Sequence, residues 1–367
     1  MKFSNLGISK ELESLLNKQR IEKPTEIQQR AIPIILKGKD VIAQAQTGTG
    51  KTLAFMLPIL ERIDTENPNI QALIITPTRE LAIQITKEAK KLISAKDVNI
   101  LAAYGGQDVK KQLRKLKNNI HMVIATPGRL LDHIRRKSID LKSVKMLVLD
   151  EADQMLEMGF LKDVEKIIHK TSRTRQTMSF SATMPKEIIS LSSRYMNKPV
   201  KIHIKSKNVT LDKIKQVVIE TTERQKQDAL CNYIEENRPF MAIIFCRTKR
   251  RVKKLNGILK RHGYDSDELH GDLSQAKRNR AMKSFRDLKT QFLVATDVAS
   301  RGLDIDGITH IFNYDITKDV EGYIHRIGRT GRAGETGVAV TFITPKDKNT
   351  LKTIEKGIKA KLEKQNR

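Results

Sequence analysis

The octapeptide Ala45-Gln46-Thr47-Gly48-Thr49-Gly50-Lys51-Thr52 begins on the last residue of the apolar run 41–45 and opens an amphipathic segment. Apart from alanine in place of the first glycine, it fits the phosphate-binding loop G-x-x-x-x-G-K-[ST]. In such a loop the glycines let backbone N–H groups turn towards phosphate oxygens, and the following helix contributes a favourable dipole. We expect Lys51 to bind the β- and γ-phosphates of a nucleotide and the Thr52 hydroxyl to bind Mg²⁺. A glycine-rich turn without a ligand is the alternative.

The loop belongs to a regular alternation of short apolar runs and amphipathic segments. In the segment 79–94, apolar residues recur every three or four positions and lysines occupy the other face, which is typical of a helix. Short apolar runs of this kind are typical of buried parallel strands. They lie at 41–45, 72–76, 122–125, 145–149 and 177–180. The alternation predicts an α/β fold with a mostly parallel, doubly wound sheet flanked by helices.

A second strand and helix series indicates a second domain. The chain has 367 residues, more than the roughly 100 to 200 of one typical domain. The sequence becomes polar and basic around 198–213. A new series of strands and helices starts at Ile214 and ends in a lysine-rich helix. Its apolar runs are 242–245, 292–295, 310–313 and 338–343. We therefore expect one domain over 1–206, a linker over 207–213 and a second domain over 214–367.

Composition narrows the class of protein and partner. Lys and Arg outnumber Asp and Glu by 69 to 42, a net charge of +27, which favours a polyanionic partner unless the lysines serve solubility or reflect genome composition. No apolar run reaches the roughly 18 residues of a membrane span, and the amino terminus lacks a secretory pattern, so we expect a cytoplasmic protein without membrane contact. Cys231 and Cys246 lack metal-type spacing and are expected to be buried thiols, without structural zinc.

An acidic tetrad, Asp150-Glu151-Ala152-Asp153, directly follows the apolar run 145–149. Ligands of open α/β sheets collect at the carboxyl ends of strands. We expect Asp150 to bind Mg²⁺, partly through water, and Glu151 to orient and deprotonate the attacking water. An isolated acidic tetrad is more often a solvated turn, but a phosphate-binding loop in the same chain favours a hydrolase site because a hydrolase needs both parts.

The tetrad reads D-E-A-D, and the chain resembles DEAD-box RNA helicases over nearly its full length. The resemblance implies two tandem RecA-like domains, ATP and Mg²⁺ as ligands, and RNA-stimulated hydrolysis of ATP to ADP and phosphate. It also implies local unwinding of RNA duplexes, with ATP and RNA bound cooperatively in the cleft between the domains. We expect a monomer of bacterial origin that contacts RNA through its backbone, with ribonucleoprotein partners possible. Composition alone indicates only a polyanion.

The resemblance also assigns residues that contact RNA or couple hydrolysis to unwinding. Ser181-Ala182-Thr183 matches the coupling motif, and His325 is expected to meet Asp153 of the other domain. The implied RNA contacts are Pro77, Thr78, Arg79, Gly105, Gly106, Thr126, Pro127, Arg129, Thr248, Gln275, Arg278 and Thr296.

Further nucleotide contacts are implied at both ends of the chain. Gln28 of the Q motif and the upstream Phe3 would recognise adenine, while Gly302 and Asp304 would approach the ribose. Arg329 and Arg332 belong to the last motif, 325–332. Because they are three residues apart, in a helix they would share a face and could act as arginine fingers, an effect of roughly 10³ to 10⁵ in rate. The catalytic set is thus Lys51, Glu151, Arg329 and Arg332.

The chain departs from the family pattern just before the Q motif. Arg20 and Ile21 stand where the family usually has glycine and an aromatic residue. An aromatic stack on a base contributes roughly 1 to 3 kcal/mol, whereas Ile21 offers only apolar contact, so the adenine affinity of this chain is an open question. Two other functions stay open, an ATP-gated RNA clamp or assembly factor with little unwinding, and a DNA translocase of the same superfamily. The intact catalytic set argues against a clamp without turnover, and the Q motif and the tetrad argue against the translocase.

Overall fold

A computed structural model describes residues 1–46, 48–106, 119–204, 213–297, 305, 307–331 and 336–365. The chain divides into two compact units, Met1–Ser206 and Lys207–Arg367, called unit 1 and unit 2. Of the predicted linker 207–213, all but Lys213 lies outside the described residues.

Unit 1 is built on a seven-stranded sheet in the order β3-β4-β2-β5-β6-β1-β7, with all neighbours parallel. The strands are β1 Val41–Gln44, β2 Ala72–Ile75, β3 Ile100–Ala103, β4 Met122–Ala125, β5 Met146–Asp150, β6 Gln176–Ser181 and β7 Val200–His203. The described helices are α1 Lys10–Lys18, α2 Glu26–Leu36, α3 Lys51–Arg62, α4 Arg79–Leu92, α5 Pro127–Arg135, α6 Ala152–Glu157, α7 Leu161–Ile168 and α8 Lys186–Tyr195. Every residue of the central strands β2, β4 and β5 is buried, because helices cover both faces of the sheet.

Unit 2 repeats this plan with a second parallel seven-stranded sheet, in the order β10-β11-β9-β12-β13-β8-β14. Its strands are β8 Ile214–Glu220, β9 Ala242–Phe245, β10 Ser266–Leu269, β11 Phe292–Ala295, β12 His310–Asn313, β13 Gly337–Ile343 and β14 Glu363–Gln365. Its described helices are α9 Lys226–Asn237, α10 Lys249–Arg261, α11 Gln275–Arg286, α12 Val320–Ile327 and α13 Lys348–Ile358.

The predicted α/β class, with two parallel sheets flanked by helices, is confirmed. The sequence prediction missed four strands, and these are the four edge strands of the two sheets. They are β3, β7, β10 and the terminal β14, which lies beyond the predicted helix. Edge strands pair on one side only and often carry polar residues, so β7, β10 and β14 lack the continuous apolar run that marks a central strand. For example, β7 buries only Ile202 of its four residues. The fourth edge strand, β3, is apolar throughout and was missed despite its run. The lysine-rich terminal helix ends at Ile358.

The departure from the family pattern at Arg20 has a clear backbone consequence. After α1, the Arg20 N–H donates to the Asn17 carbonyl and the Ile21 N–H donates to the Leu16 carbonyl, both at 2.9 Å. These two bonds form a Schellman motif, which places Arg20 in the left-handed region at φ 60°. Arginine therefore occupies a backbone conformation that glycine adopts more easily. Ile21 packs against the unit 1 core.

We predict that Arg20→Gly stabilises the end of α1 by about 1 kcal/mol, because glycine removes the left-handed penalty. Hydrogen–deuterium exchange of α1 amides in the full chain should slow by about fivefold, since 1.4 kcal/mol is tenfold. The control Ser14→Gly, at an exposed position inside α1, should instead accelerate exchange. Faster exchange in Arg20→Gly would contradict this reading.

Candidate active site

The phosphate-binding loop joins β1 to α3 in unit 1. Gly48 and Gly50 have φ values of 83° and 91°, in the left-handed region that the loop requires. Lys51 is 8% exposed, and its Nζ donates to the Ala45 carbonyl at 3.0 Å. The buried ammonium therefore folds back over the loop, where a phosphate would lie. Thr47 lies outside the described residues.

Gln28 connects the loop with the start of α2. Its Nε2 donates to the Gly50 carbonyl at 3.0 Å, and its Oε1 accepts from the Thr25 N–H at 2.9 Å in a capping box. A Cβ at Gly50 would lie 2.5 Å from Gln28 Nε2, so only glycine permits this contact. A glutamine amide has two N–H donors and two lone pairs, so Gln28 keeps hydrogen-bonding capacity beyond these two bonds. Its contact with adenine therefore stays a prediction. Phe3 is fully buried in the unit 1 core, and its nucleotide contact also stays a prediction.

The acidic tetrad begins on the last residue of β5. Asp150 and Glu151 are both buried, and the Glu151 N–H donates to Asp150 Oδ1 at 3.1 Å. Glu151 has φ 54°, a strained conformation for a residue other than glycine, of the kind that clusters at functional sites. Burial raises the pKa of Asp150, and the nearby Lys51 ammonium acts in the opposite direction. The structure thus brings Asp150 into electrostatic contact with the phosphate-binding loop.

These groups suit Mg²⁺ that also binds nucleotide phosphates. Thr52 lies in the first turn of α3, and Asp150 is a buried carboxylate beside the adjoining Lys51. Within the described ranges, no three His, Cys, Asp or Glu side chains are clustered as a metal site. Mg²⁺ usually keeps several waters and binds one or two carboxylates plus substrate phosphates, so this sparse donor set fits it.

The predicted coupling motif is hydrogen-bonded to the tetrad. Asp153 Oδ2 accepts from the Thr183 N–H at 2.8 Å and from the Thr183 hydroxyl at 3.0 Å. The Asp153 N–H donates to Ser181 Oγ at 3.1 Å. The structure therefore brings together three of the four predicted coupling residues. The fourth, His325, is a half-buried residue of α12 in unit 2.

The predicted RNA contacts of unit 1 follow the carboxyl ends of β2, β3 and β4. Thr78 is the N-cap of α4, and its hydroxyl accepts from the Leu81 N–H at 3.2 Å. The Arg79 guanidinium packs on Gly105, where a Cβ would lie 2.8 Å from Nη2. The remaining members are buried Pro77 and Pro127, half-buried Thr126 and Arg129, and Gly106 with φ 81°.

The predicted RNA contacts of unit 2 also lie at strand ends and helix starts. Thr248 caps α10 by accepting from the Arg251 N–H at 3.3 Å. Gln275 begins α11, Arg278 Nη1 donates to the His270 carbonyl at 3.3 Å, and Thr296 follows β11. Gly302, Asp304 and Arg332 lie outside the described residues.

Arg326 was not singled out from the sequence, yet it joins most of the unit 2 site. It is 3% exposed and holds Asp297 with two bonds, Nε to Oδ1 at 2.6 Å and Nη2 to Oδ2 at 2.8 Å. Its Nη1 donates to Asn313 Oδ1 at 3.0 Å and to the Asp315 carbonyl at 2.6 Å, and the guanidinium stacks over Phe245. The sequence did carry a signal, because Arg326 shares the apolar face of α12 and a buried arginine must be paired.

Arg326, Asp297 and Phe245 line a pocket of about 270 Å³ within unit 2. Its basic lining comprises the cations Arg247, Lys318, Arg326 and Arg329, together with His325. Arg329 does not lie in a helix, the case in which it would share a face with Arg332, since α12 ends at Ile327 and Arg329 follows in a turn. The turn begins because the Gly328 and Arg329 N–H groups bond back to the carbonyls of Ile324 and Arg326. The turn nevertheless brings Arg329 to the same pocket as Arg326.

We predict that Arg326→Gln destabilises unit 2 by about 3 kcal/mol, because it leaves the buried partners of the guanidinium unpaired. The exposed Arg224→Gln, which removes the same charge, should change stability by less than about 0.5 kcal/mol. Proteolysis of the full chain in increasing urea, with fragments assigned to each unit, measures both. Equal stability of the two variants would contradict the central role of Arg326.

Comparison with known proteins agrees with this geometry. The model of the DEAD/DEAH box helicase domain matches residues 25–191, and that of the helicase conserved C-terminal domain matches residues 225–334. The DEAD-box ATP-dependent RNA helicase CshA of Bacillus licheniformis is 48% identical over 361 residues, which cover 98% of this chain and 74% of that protein. The CshA helicase of Limosilactobacillus reuteri is 50% identical over 356 residues, covering 97% of this chain and 72% of that protein.

Solved structures extend the similarity to three dimensions. The structure of S. cerevisiae Dbp5 bound to RNA and ADP BeF3 superposes with a TM-score of 0.91 at 32% identity, covering 100% of this chain and 95% of that chain. The RecA-like architecture predicted for both units is confirmed by this likeness. No helix among the described residues is long and apolar enough to cross a membrane. By sequence and by fold, this chain belongs to the family of DEAD-box ATP-dependent RNA helicases.

Proposed function

We propose that this chain is an RNA-stimulated ATPase that unwinds short RNA duplexes locally. The observation that carries the proposal is the connected set of groups at one edge of the unit 1 sheet. There Lys51 of the phosphate-binding loop acts on Asp150, and Asp153 of the same tetrad holds Thr183 of the coupling motif. A phosphate site, a base and a coupling element are thus linked in turn, by the electrostatic interaction of Lys51 with Asp150, by the tetrad itself and by the hydrogen bonds of Asp153.

ATP is the proposed nucleotide. The N–H groups of residues 47–50 and the Lys51 ammonium bind its phosphates, Gln28 and Phe3 recognise adenine, and Gly302 with Asp304 bind the ribose. Thr52 and Asp150 hold Mg²⁺, which neutralises phosphate charge when bound. The contact of Gln28 with the Gly50 carbonyl supports a link between base recognition and loop conformation.

Hydrolysis requires a water, a base and charge stabilisation. Glu151 orients the water and accepts its proton as the oxygen attacks the γ-phosphorus, while the bond from that phosphorus to the β-phosphate oxygen breaks and ADP leaves. Glu151 suits this role because it is buried and directly follows Asp150, whose Oδ1 accepts from the Glu151 N–H. Lys51, Arg329 and Arg332 stabilise the charge on the transferred phosphoryl group. Arg326 positions the turn that carries Arg329.

RNA is bound through its phosphates and 2′-hydroxyls, without base-specific contacts. We propose that both units engage one ATP and one RNA, so each ligand raises affinity for the other. Asp153, Ser181, Thr183 and His325 link hydrolysis to strand separation, and loss of phosphate releases the RNA. The protein is proposed to act as a cytoplasmic monomer on RNA or ribonucleoprotein substrates.

We predict that RNA raises the steady-state ATPase rate of the wild type, whereas DNA of equal length does not. Glu151→Gln, which keeps the side-chain size and removes the base, should lower the RNA-stimulated rate by roughly 10² to 10⁴. Glu157→Gln, an exposed glutamate of the next helix, is the matched control and should retain wild-type activity.

Each other outcome identifies a different function. Equal stimulation by DNA would indicate a translocase. Tight ATP-dependent RNA binding with no turnover in the wild type would indicate an RNA clamp. Full activity in Glu151→Gln would show that another group is the base.

A further inference from the structure

Helix α10 of unit 2 is unusually basic. Its sequence is KRRVKKLNGILKR, so seven of its 13 residues are Lys or Arg and none is acidic. Its apolar side chains, Val252, Leu255 and Leu259, are buried in the unit 2 core. The opposite face of the helix is therefore exposed and carries concentrated positive charge.

Four positions on this face form a straight line, which we name the α10 stripe. Arg250, Lys254, Gly257 and Arg261 follow one another at spacings of four, three and four residues, which places them on one side of a helix. The three cations are exposed. At 1.5 Å per residue, the stripe spans about 16 Å, a length that several consecutive phosphates of a nucleic-acid strand can follow.

The stripe lacks internal charge compensation. On α10, Lys249 pairs with Asp272, and Arg251 pairs with Glu223 and Asp315. No ion pair between described residues involves Arg250, Lys254 or Arg261. Like charges four residues apart, such as Arg250 and Lys254, destabilise a helix. A bound polyanion would remove this repulsion.

Gly257 is an independent sign of a ligand. Glycine inside a helix is less stable than alanine, so its presence needs a reason. Packing does not supply one, because a Cβ at Gly257 would meet only Arg261 Nη1, at 3.9 Å. The missing side chain instead leaves the helix backbone open between Lys254 and Arg261, which lets another backbone approach closely.

We propose that the α10 stripe binds the sugar–phosphate backbone of an RNA segment that continues past the helicase site. The helix starts at its N-cap Thr248, one of the predicted RNA contacts, so the stripe begins where that site ends. This inference rests on the proposed function, since it assumes that RNA lies at Thr248. It assigns to α10 an extension of the RNA site that favours longer substrates.

The test compares two RNAs on the full chain. A single strand of roughly 10 nucleotides, a size typical of single-strand sites, serves as the reference for one of roughly 30 nucleotides. The variant Arg250→Gln/Lys254→Gln/Arg261→Gln should lose about tenfold in affinity for the long RNA relative to the short one. The slope of log Kd against log salt for the long RNA should fall by about 2, at roughly 0.7 per phosphate contact.

Two further variants keep the test decisive. Lys142→Gln/Lys162→Gln/Lys170→Gln removes three exposed charges from unit 1 and should preserve the preference for long RNA. Gly257→Gln adds a neutral side chain with better helix propensity, so it should protect α10 amides in hydrogen exchange and still weaken long-RNA binding. An unchanged ratio of long- to short-RNA affinity in the stripe variant, or an equal loss in the unit 1 control, would overturn the proposal. If the short RNA does not stimulate the ATPase activity of the wild type, the proposed function is overturned instead.

Discussion

Parallel pairing of every strand is the constraint on which the rest of this protein depends. Because all strands of a sheet point the same way, their carboxyl ends meet at one edge, and the loops that follow them share that edge. In unit 1 this places the phosphate-binding loop after β1, the tetrad after β5 and the coupling motif after β6 side by side. In unit 2 the same rule gathers Arg247, Asp297 and Asp315 after β9, β11 and β12. Residues more than 100 positions apart thus become neighbours.

Buried charge then determines which side chains can occupy these edges. Asp150 is desolvated, and burial raises its pKa while Lys51 opposes the rise. In unit 2 the Arg326 guanidinium is satisfied by Asp297, Asn313 and the Asp315 carbonyl. Removing one member of such a buried pair leaves the other charged group unpaired, so the residues of each site depend on one another. We infer that this arrangement holds the predicted catalytic groups in place before a ligand arrives.

The sequence predicted the parts of the molecule that follow local rules. Central strands such as β4 and β9 were visible because burial on both faces requires a continuous apolar run. The phosphate-binding loop could be predicted because its backbone needs positive φ values, which glycine adopts most easily. The edge strands β7, β10 and β14 were missed because their polar residues interrupt the apolar run. Arg326 and the second role of Gln28 were missed for another reason, since their partners lie up to 29 residues away along the chain.

The central claim is that ATP and RNA binding are coupled through the groups assembled at these edges. The most direct test is a thermodynamic cycle, in which the Kd of a non-hydrolysable ATP analogue is measured with and without saturating single-stranded RNA, and the Kd of RNA with and without the analogue. Our account predicts that each ligand tightens the other by the same factor, in the range of roughly 5 to 150 typical of coupled sites. Equal affinities with and without the second ligand would contradict it.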